Sequence, residues 1–309
     1  MTGASLPEST DTVIRYEDLS IKNGTATVLV DSIKKGQHIH YKAKDKKQNE
    51  IVATSGQFVS PALINMAAAV GASMLMVKKL PKVVIISSGD ELIEVNQKPL
   101  VFQVRSSNNY AINAVLQQYA LHAEMLHIPD EPRITKQKIR ECLEQYDVMI
   151  LTGGVSMGKF DYIPQVLEEL AVEKLFHKVK QKPGKPFWFG VHSNATLVFA
   201  FPGNPVSTFM CLHRYFLPWL ETSLGLMSKQ PLHAILNDNF SFTPDLQYFL
   251  QVALHVTQQG QLNANPAEGN GSGDFANLLE TDAFMELPME KNNFIKGETY
   301  RIWPFKKNF

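Results

Sequence analysis

The segment 146–170 places the strongest constraint on how this chain can fold. Its apolar run Val148-Met-Ile-Leu151 predicts a short strand that is buried on both faces. The run ends at Gly153-Gly154, where glycine permits positive φ angles and lets a ligand approach the backbone closely. Helical spacing then follows in the apolar residues Ile163, Val166, Leu167 and Leu170. The segment therefore predicts a strand, a glycine-rich loop and a helix, and ligands of open α/β sheets bind at such loops.

The glycine-rich loop fits neither of two common nucleotide-binding motifs. No Gly-Lys-Ser/Thr follows it, which excludes a P-loop, and it lacks the G-x-G-x-x-G spacing of a dinucleotide site. Taken alone, the loop predicts only that an anionic or polar ligand binds near it.

Strand patterns alternate with helix patterns from Lys82 onwards. Strands are predicted at Val83–Ile86, Ala123–Ile128 and Lys174–Lys178, and a hairpin is predicted to end at Leu197–Phe201. This alternation predicts an α/β fold, in which a three-layer α/β/α domain holds a mostly parallel sheet.

The regions on either side of this domain predict β structure. Strand patterns occur at 12–16, 26–30 and 38–41, and again at 248–256, 283–287 and 300–303. Between them, Ser60-Pro61 predicts the start of a helix and Gly71 its end. We therefore predict four parts: residues 1–57, an N-terminal β segment; 58–80, a helical linker; 81–226, the α/β domain; and 227–309, a small C-terminal β domain.

Composition excludes several classes of partner. Thirty basic residues balance thirty acidic ones, which gives no electrostatic case for nucleic acid or an anionic membrane. The most apolar window, 61–77, is too short to span a bilayer, and the N-terminus lacks a signal peptide pattern. Cys142 and Cys211 form neither a disulfide framework nor a metal motif. We expect a cytoplasmic protein without a nucleic-acid or membrane partner.

Polar residues follow the carboxyl ends of the predicted strands, which share one rim of an α/β sheet. They are Asp90, Glu91, Asp130, Ser156, Asp161 and Asn204. Asn204-Pro205 predicts a helix N-terminus whose free amides face that rim, and Lys178, Lys182 and Lys185 precede it. Several carboxylates on one rim repel one another unless a cation lies among them, and Mg²⁺ commonly bridges carboxylates and phosphates. The pattern predicts an α/β enzyme or binding module for a phosphate ligand.

Each of these residues also has a purely structural interpretation. Asp130 and Asp161 precede predicted helices, so either could be an N-cap that stabilises its helix by about 1 kcal/mol. Asp90-Glu91 could be a solvated turn, and the lysine run could be an exposed edge strand that resists aggregation.

Several motifs together resemble the molybdopterin molybdenumtransferase family, whose gephyrin-like members also serve as scaffolds. The resemblance extends over the whole chain, because long motifs occur in the family's order. They are Thr2-Gly-Ala, Ser88-Gly-Asp-Glu-Leu92, Thr152-Gly-Gly-Val-Ser-Met-Gly158 with Asp161-Tyr162, Lys182-Pro-Gly-Lys-Pro186, Phe201-Pro-Gly-Asn-Pro-Val-Ser207 and Gly271-Ser-Gly273.

The resemblance implies a late step of molybdenum cofactor synthesis. The family inserts molybdate into adenylylated molybdopterin and releases AMP, assisted by Mg²⁺, and it forms homodimers. A molybdopterin adenylyltransferase is an expected partner. By motif position, the catalytic residues are Glu91, Asp130, Asp161, Lys178 and Lys182, of which Glu91 and Asp161 hold the metal. The ligand-binding positions are Thr2, Gly153, Gly154, Ser156, Gly158, Lys185, Pro202, Gly203, Asn204, Pro205 and Ser272.

Three departures from the family pattern leave alternatives open. Family members carry a further segment before Thr2, with an Asp-Gly-Tyr-Ala motif, so residues 1–57 resemble the remnant of an N-terminal β domain in a shortened member. Ser106 stands where an acid is common, and Gln251 replaces a common arginine, which removes a fixed cationic fork. The alternatives are a catalytically impaired pterin-binding or scaffold paralogue and an adenylyltransferase-like activity. The C-terminal β domain argues against the latter.

Overall fold

A computed structural model describes residues 1–155, 162–226 and 230–306 of the chain. The chain forms two compact units, one of residues 1–55 with 59–73 and the other of residues 56–58 with 74–309. Ser156, Gly158 and Asp161, which were predicted to belong to the site, lie outside the described residues. Within the described ranges, every helix is too short or too polar to cross a membrane.

The first unit contains little regular structure. A 3₁₀ turn, Tyr16–Asp18, precedes the hairpin strands β1 (Leu19–Lys22) and β2 (Thr25–Val28), and helix α1 (Pro61–Ala69) follows. As predicted, Asn23 and Gly24 form the hairpin turn, where both have positive φ angles.

Two predicted strands of this unit, 12–16 and 38–41, are wrong. Residues 12–15 are extended but outside any strand, and 38–41 are turn and coil. None of residues 1–58, all of which are described, is buried, so their alternating apolar side chains have no face to pack against.

Helix α1 begins and ends where the sequence predicts. The Ser60 hydroxyl accepts a hydrogen bond from the Leu63 amide at 3.2 Å, and Pro61 is the first helical residue. Gly71 follows the helix with a φ of +80°. The apolar face of helix α1 is only weakly covered, because Ala67 is the one buried residue of the helix.

The second unit begins with the α/β domain, whose elements alternate as predicted. They are β3 (Val83–Ser88), β4 (Leu92–Ile93), β5 (Val104–Arg105), α2 (Asn108–Gln117), β6 (Glu124–Ile128), α3 (Pro132–Gln145), β7 (Val148–Thr152), α4 (Ile163–Glu169), β8 (Val172–His177), β9 (Gln181–Lys182), β10 (Trp188–His192), β11 (Leu197–Phe201), α5 (Pro205–Cys211), a π-helical turn (Leu212–Phe216) and α6 (Leu217–Ser223).

Six of these strands form the central sheet in the order β6-β3-β7-β11-β10-β8. The strands from β6 to β11 pair in parallel, whereas β10 is antiparallel to both of its neighbours. Ser87, Thr152 and Phe201 lie side by side near the ends of β3, β7 and β11. The predicted mostly parallel sheet is therefore confirmed, and the loops that follow these strands leave from one rim.

The core of this domain lies on both faces of the sheet, because alternate residues of a strand point to opposite sides. Val83 and Ile85 pack with α2, α5 and α6, while Val84 and Ile86 pack with α3 and α4. The fully buried run of β7 contributes to both clusters. This explains why it reads as a continuous apolar stretch rather than an alternating one.

The C-terminal β domain follows from residue 233. Its elements are β12 (His233–Leu236), β13 (Phe240–Ser241), β14 (Gln247–Val256), β15 (Leu262–Pro266), α7 (Asn277–Glu280), β16 (Ala283–Leu287), β17 (Asn293–Phe294) and β18 (Thr299–Pro304). Its main sheet has the order β15-β12-β18-β16-β14-β9. Strand β9 comes from the α/β domain, so this pairing joins the two domains within the second unit.

Candidate functional site

The loops at the rim of the central sheet pack closely on one another. The Gly153 amide donates to the Phe201 carbonyl at 3.1 Å, and Asn108 Nδ2 donates to the Gly203 carbonyl at 2.7 Å. A Cβ on Gly203 would lie 3.5 Å from the Gly153 Cα, so the loops after β7 and β11 meet backbone to backbone. A Cβ at this distance would make ordinary van der Waals contact, so the two loops touch without strain.

A cavity of about 610 Å³ opens above this rim. One wall, the strand-end wall, consists of the loops after β3, β7 and β11, and the turn 182–186 borders it. The other, the C-terminal wall, consists of Leu246, Tyr248, Phe249, Gln251, Glu268, Gly269, Gly271 and Ser272. The cavity brings together nine of the predicted site residues: Glu91, Gly153, Gly154, Lys182, Lys185, Pro202, Gly203, Asn204 and Ser272.

Glycine is required at the floor of the strand-end wall. Gly154 has a φ of +67°, and a Cβ there would lie 2.5 Å from Ile163 Cδ1 and 2.9 Å from Ser88 Oγ. The Ser88 hydroxyl is buried under this loop and has no hydrogen-bond partner among the described residues. The loop conformation therefore depends on the absence of side chains at this position.

Glu91 supplies the carboxylate of the strand-end wall. Its side chain folds back over Gly89, whose φ of +131° is a conformation that residues with a Cβ rarely adopt. In the part of the chain that the structure describes, Glu91 forms no ion pair, and its carboxylate lines the cavity.

Asp130 lies beside Asp90 rather than on the cavity wall. The Asp130 amide donates to Asp90 Oδ1 at 3.1 Å, and the Asp90 amide donates to Asp130 Oδ2 at 3.3 Å. The N-cap of α3 is Glu131, so Asp130 is not the helix cap that the structural interpretation suggested. The two aspartates instead brace the loop that carries Glu91.

The described carboxylates suit a magnesium ion only in combination with a ligand. Among residues 1–155, 162–226 and 230–306, no three His, Cys, Asp or Glu side chains lie close enough to hold a metal. Mg²⁺ in phosphate sites commonly uses one or two carboxylates and completes its shell with water and phosphate oxygens. A hard oxygen donor such as Glu91, facing a cavity for an anionic ligand, fits this requirement.

The predicted lysines separate into two groups. Lys182 and Lys185 line the cavity, whereas Lys178 is exposed, has a φ of +70° and is not part of the wall. Lys182 lies on β9, an edge strand, which agrees in part with the structural interpretation. Neither cavity lysine forms an ion pair with another described residue, so both charges are available to a ligand.

The ammonium of Lys182 lies beside an aromatic stack. Its Nζ is 5.2 Å from the ring centre of Phe242 and 5.2 Å from that of Tyr248, and these rings are 4.2 Å apart and nearly parallel. Equal distances to two stacked rings place the ammonium beside the stack rather than above the outer face of one ring. The rings thus confine the side chain without the full cation–π attraction that an approach to a face provides.

The loop containing Ser272 closes the start of helix α5. Asn204 is the N-cap residue, as predicted, but its side chain donates to Ser272 Oγ at 2.8 Å instead of capping the helix. The Val206 amide donates to the Ser272 carbonyl at 3.1 Å. The expectation of free amides at this helix start is therefore wrong for Val206. Pro205 is the first helical residue and does not line the cavity.

Sequence reasoning missed most of the C-terminal wall. The Tyr248 hydroxyl donates to Glu268 Oε1 at 3.2 Å, and burial, followed by the nearby Glu268 charge, raises the pKa of Tyr248. Gln251 is only 8% exposed, and its Oε1 is buried without a partner among the described residues. A departure from a family pattern had singled out Gln251, but no signal pointed to Tyr248 or Glu268.

Two further positions lie away from this cavity or in the other unit. Ser106 is buried and faces a separate cavity of about 470 Å³. Thr2 is exposed in the first unit, and its role stays a prediction.

Fold and cavity together define the class of protein. A mostly parallel α/β sheet presents glycine-rich loops at its strand ends, and a β domain completes the same cavity. Lysines that have no ion-pair partner among the described residues make the cavity suitable for an anionic ligand. The protein therefore has an α/β ligand-binding architecture. Comparison with known proteins identifies the family to which it belongs.

Family comparisons cover nearly the whole chain. Residues 1–71 match the MoeA N-terminal region (domain I and II), residues 84–222 match a probable molybdopterin binding domain, and residues 233–305 match the MoeA C-terminal region (domain IV). A molybdopterin biosynthesis moeA protein of Pyrococcus horikoshii OT3 has a similar structure, with a TM-score of 0.78 and 25% identity over 99% of this chain and 74% of that one.

Curated relatives give the same result. The molybdopterin molybdenumtransferase of Synechocystis sp. is 37% identical over 98% of this chain and 76% of the relative. That of Haemophilus influenzae is 30% identical over 99% of this chain and 76% of the relative. The chain belongs to the molybdopterin molybdenumtransferase family and is a transferase of molybdenum cofactor biosynthesis, which confirms the resemblance noted from its motifs.

Proposed function

We propose that this enzyme inserts molybdate into adenylylated molybdopterin and releases AMP. The observation that supports this is the composition of the cavity: Glu91, Lys182 and Lys185 reach one space of about 610 Å³ without forming ion pairs with described residues. That volume lies in the range that accommodates ligands of nucleotide size, roughly 300–1,000 Å³. The pterin nucleotide and molybdate are both anions, and the lysines offset their charge.

In this reaction the pyrophosphate link of the ligand breaks. A water oxygen forms a bond to one phosphorus of the link, the bridging phosphorus–oxygen bond breaks, and AMP separates from the molybdopterin phosphate while a proton passes to solvent. The two dithiolene sulfurs of molybdopterin form bonds to molybdenum, and the molybdate oxygens that they replace leave as water. Lys182 and Lys185 bind phosphate or molybdate oxygens, and Gly153, Gly154 and Gly203 let the ligand approach the backbone. Pro202 and Asn204 shape the strand-end wall, and Ser272 faces them from the C-terminal wall. In this proposal Thr2, Pro205, Lys178, Ser156 and Gly158 have the roles that the family motifs assign.

Magnesium is part of this proposal. Glu91 and Asp161 would hold the ion, and Asp130 would brace the Glu91 loop through Asp90. When bound, Mg²⁺ neutralises phosphate charge and polarises the bond that breaks. The protein groups then keep the ligand phosphates oriented for the displacement.

We also propose a cytoplasmic homodimer that receives its substrate from a molybdopterin adenylyltransferase. Cys142 and Cys211 are buried free thiols, as expected in a reducing compartment. An exposed apolar stretch, Leu100-Val101-Phe102, suits an interface between copies. Phe102→Asp should shift a dimer to monomer in sedimentation, and unchanged sedimentation would exclude this surface.

We also propose that the chain divides into its four parts after residues 57, 80 and 226.

The test of function is AMP release from adenylylated molybdopterin with molybdate and Mg²⁺. Glu91→Gln and Lys182→Ala should each slow release about a hundredfold, because each removes a charge aimed at the reacting phosphates. Glu144→Gln and Lys98→Ala, at exposed positions outside the cavity, are the matched controls. Equal rates in all variants, or no AMP release by the wild-type enzyme, would refute the proposal.

Gln251 favours one alternative, a pterin-binding protein with impaired turnover. A neutral amide provides less stabilisation to an oxyanion than a guanidinium does. Tight binding of adenylylated molybdopterin without AMP release would support this alternative. Formation of adenylylated molybdopterin from ATP would support adenylyl transfer instead.

A further inference from the structure

The C-terminal wall of the cavity differs chemically from a phosphate site. Two of its members are carbon-rich, the Tyr248 ring, which stacks on Phe242 and Phe240, and the buried Phe249, and Leu246 lines the cavity with them. Its polar members are the carboxylate of Glu268 and the amide of Gln251. An apolar surface with a few oriented hydrogen-bonding groups is typical of sites for flat, uncharged heterocycles.

The Glu268 carboxylate is oriented but not neutralised. Its Oε1 accepts the Tyr248 hydroxyl at 3.2 Å, while the described residues provide no lysine, arginine or histidine within ion-pair distance of it. A carboxylate has two oxygens and about four acceptor sites, so one phenol leaves most of its capacity unused. The group therefore faces the cavity as a fixed acceptor.

Tyr248 can hold this orientation over the whole physiological range. The phenol is 8% exposed, and its raised pKa keeps it protonated, so that it always donates to Glu268. Its backbone is fixed as well, because Tyr248 pairs with Leu287 on β16 and with Lys182 on β9.

A second observation at the same wall indicates an absent partner. Gln251 borders the cavity and is only 8% exposed. Its Oε1 nevertheless has no hydrogen-bond partner among the described residues. A buried amide without a partner costs about 1–3 kcal/mol relative to a satisfied one. A ligand with complementary donors and acceptors removes that cost once the amide has turned towards it.

The proposed ligand has two heterocycles, which differ in the edges that they present. The 2-amino-4-oxo edge of a pterin carries a ring N–H beside an exocyclic NH₂, which are two parallel donors that match the two oxygens of a carboxylate. Adenine places an acceptor next to its amino group, so one carboxylate oxygen would face a lone pair. Glu268 thus distinguishes the two ends of the molecule.

We propose that Glu268, oriented by Tyr248, recognises the 2-amino-4-oxo edge of the pterin and thereby places the pterin at the C-terminal wall. The phosphates then extend towards Lys182, Lys185 and the glycine loops. This assignment rests on the proposed function in taking the pterin nucleotide as the ligand. Glu268 is a specificity residue that touches substrate, and Tyr248 is a positioning residue that acts through it.

The test compares two small ligands that differ at one substituent. Pterin and lumazine share the pteridine ring, but lumazine carries an oxygen where pterin has the 2-amino group. Wild-type protein should bind pterin about tenfold tighter than lumazine, as measured by quenching of their fluorescence, because the lumazine oxygen repels the carboxylate. AMP serves as a third probe, which reports on the strand-end wall.

Variants assign the discrimination to the two residues. Glu268→Gln should reduce the pterin-to-lumazine ratio to near unity and leave AMP affinity within about twofold, since a neutral amide accepts either edge. Tyr248→Phe keeps the ring but frees the carboxylate, and should lower the ratio about threefold. Glu91→Gln, which removes the carboxylate of the strand-end wall, is the matched control. It should leave the pterin-to-lumazine ratio unchanged.

The outcomes separate this inference from the proposed function. A pterin-to-lumazine affinity ratio near one in Glu268→Gln supports the inference even if no AMP is released with molybdate. If Glu268→Gln keeps the wild-type pterin-to-lumazine ratio, the inference is overturned even when the enzyme is active. It is also overturned if the wild-type protein does not bind pterin at millimolar concentration. Glu268 is exposed, so its variant should fold like wild type, which unfolding in urea verifies.

Discussion

The two walls of the cavity use opposite kinds of chemistry. The strand-end wall depends on residues that lack side chains, because Gly153, Gly154 and Gly203 let loops and ligand approach the backbone. The C-terminal wall depends on side chains, namely a ring, an amide and a carboxylate. The first wall is suited to phosphates in general, while the second can distinguish one heterocycle from another. In the proposed binding mode, one domain binds the phosphates and the other recognises the heterocycle.

The largest expected effect tests the strand-end wall. Gly154→Ala should lower the free energy of unfolding by about 2–4 kcal/mol, since it combines backbone strain at positive φ with overlap on Ile163 and Ser88. Gly260→Ala is the matched control, because its φ is +78° and nothing lies within 4 Å of the added Cβ. It should cost only about 1–2 kcal/mol of strain. Equal losses in urea unfolding would show that the loop contacts do not matter.

The next effect concerns the contact between the two domains that supply the walls. His213 follows α5, its Nδ1 donates to the Phe209 carbonyl at 2.8 Å, and its ring lies 5.9 Å from that of Phe305 in the C-terminal domain. Burial lowers the pKa of His213 from 6.5 to about 4. In the unfolded chain, His213 therefore becomes protonated below pH 6.5, whereas in the folded protein it stays neutral down to about pH 4.

Stability should consequently fall as pH decreases from 6.5 to 4, by up to about 3 kcal/mol. The difference in urea midpoint between wild type and His213→Phe, followed across this range, measures the contribution. His122→Phe, at an exposed position, is the control. If the urea midpoint of the His213 variant depends on pH as steeply as that of wild type, the contact between the domains is more hydrated than the burial of His213 indicates.

A smaller effect is expected from giving the C-terminal wall a cation. Gln251→Arg should tighten molybdate binding about tenfold in calorimetry, because a guanidinium donates charge-assisted hydrogen bonds to an oxyanion. Gln247→Arg, on the same strand but not part of the cavity wall, provides the comparison. Similar gains at both positions would indicate a general charge effect rather than a site.

The smallest effect compares a satisfied buried polar group with an unsatisfied one. The Thr196 hydroxyl donates to the carbonyls of Leu143 and Tyr146 at 3.1 and 2.9 Å, whereas Gln251 Oε1 has no described partner. Thr196→Val should destabilise the fold by about 1 kcal/mol, and Gln251→Leu should stabilise it by about 0.5–1 kcal/mol. A loss of stability in Gln251→Leu would mean that its amide already has a partner.

Prediction from sequence was most reliable where burial is complete. In residues 1–58, where no residue is buried, it found the β1–β2 hairpin but also two strands that do not form. The run Val148–Leu151 predicts a buried strand because only a strand covered on both faces tolerates four apolar residues in succession. The segments 12–16 and 38–41 have similar strand propensity but lie in a region without buried residues. Propensity without a surface to pack against does not specify a strand.

The same difference separates the two walls of the cavity. Glu91, Gly153, Gly154 and Gly203 were predictable because each follows a strand, and parallel strands end at one rim. Tyr248 and Glu268 reach that rim only because β9, which lies between β8 and β10 in the chain, pairs with β14 of the C-terminal sheet. No local pattern encodes such a long-range pairing.

The amino-acid sequence by itself determined the alternation of elements, the family and the residues of the strand-end wall, since periodicity and glycine placement are local properties of a chain. Only the tertiary structure decided that Asp130 braces a loop, that Ser272 closes helix α5 and that Gln251 and Glu268 face the ligand space. These assignments depend on which segments pack together. Packing is settled by the burial of whole surfaces, to which residues far apart in the chain contribute jointly.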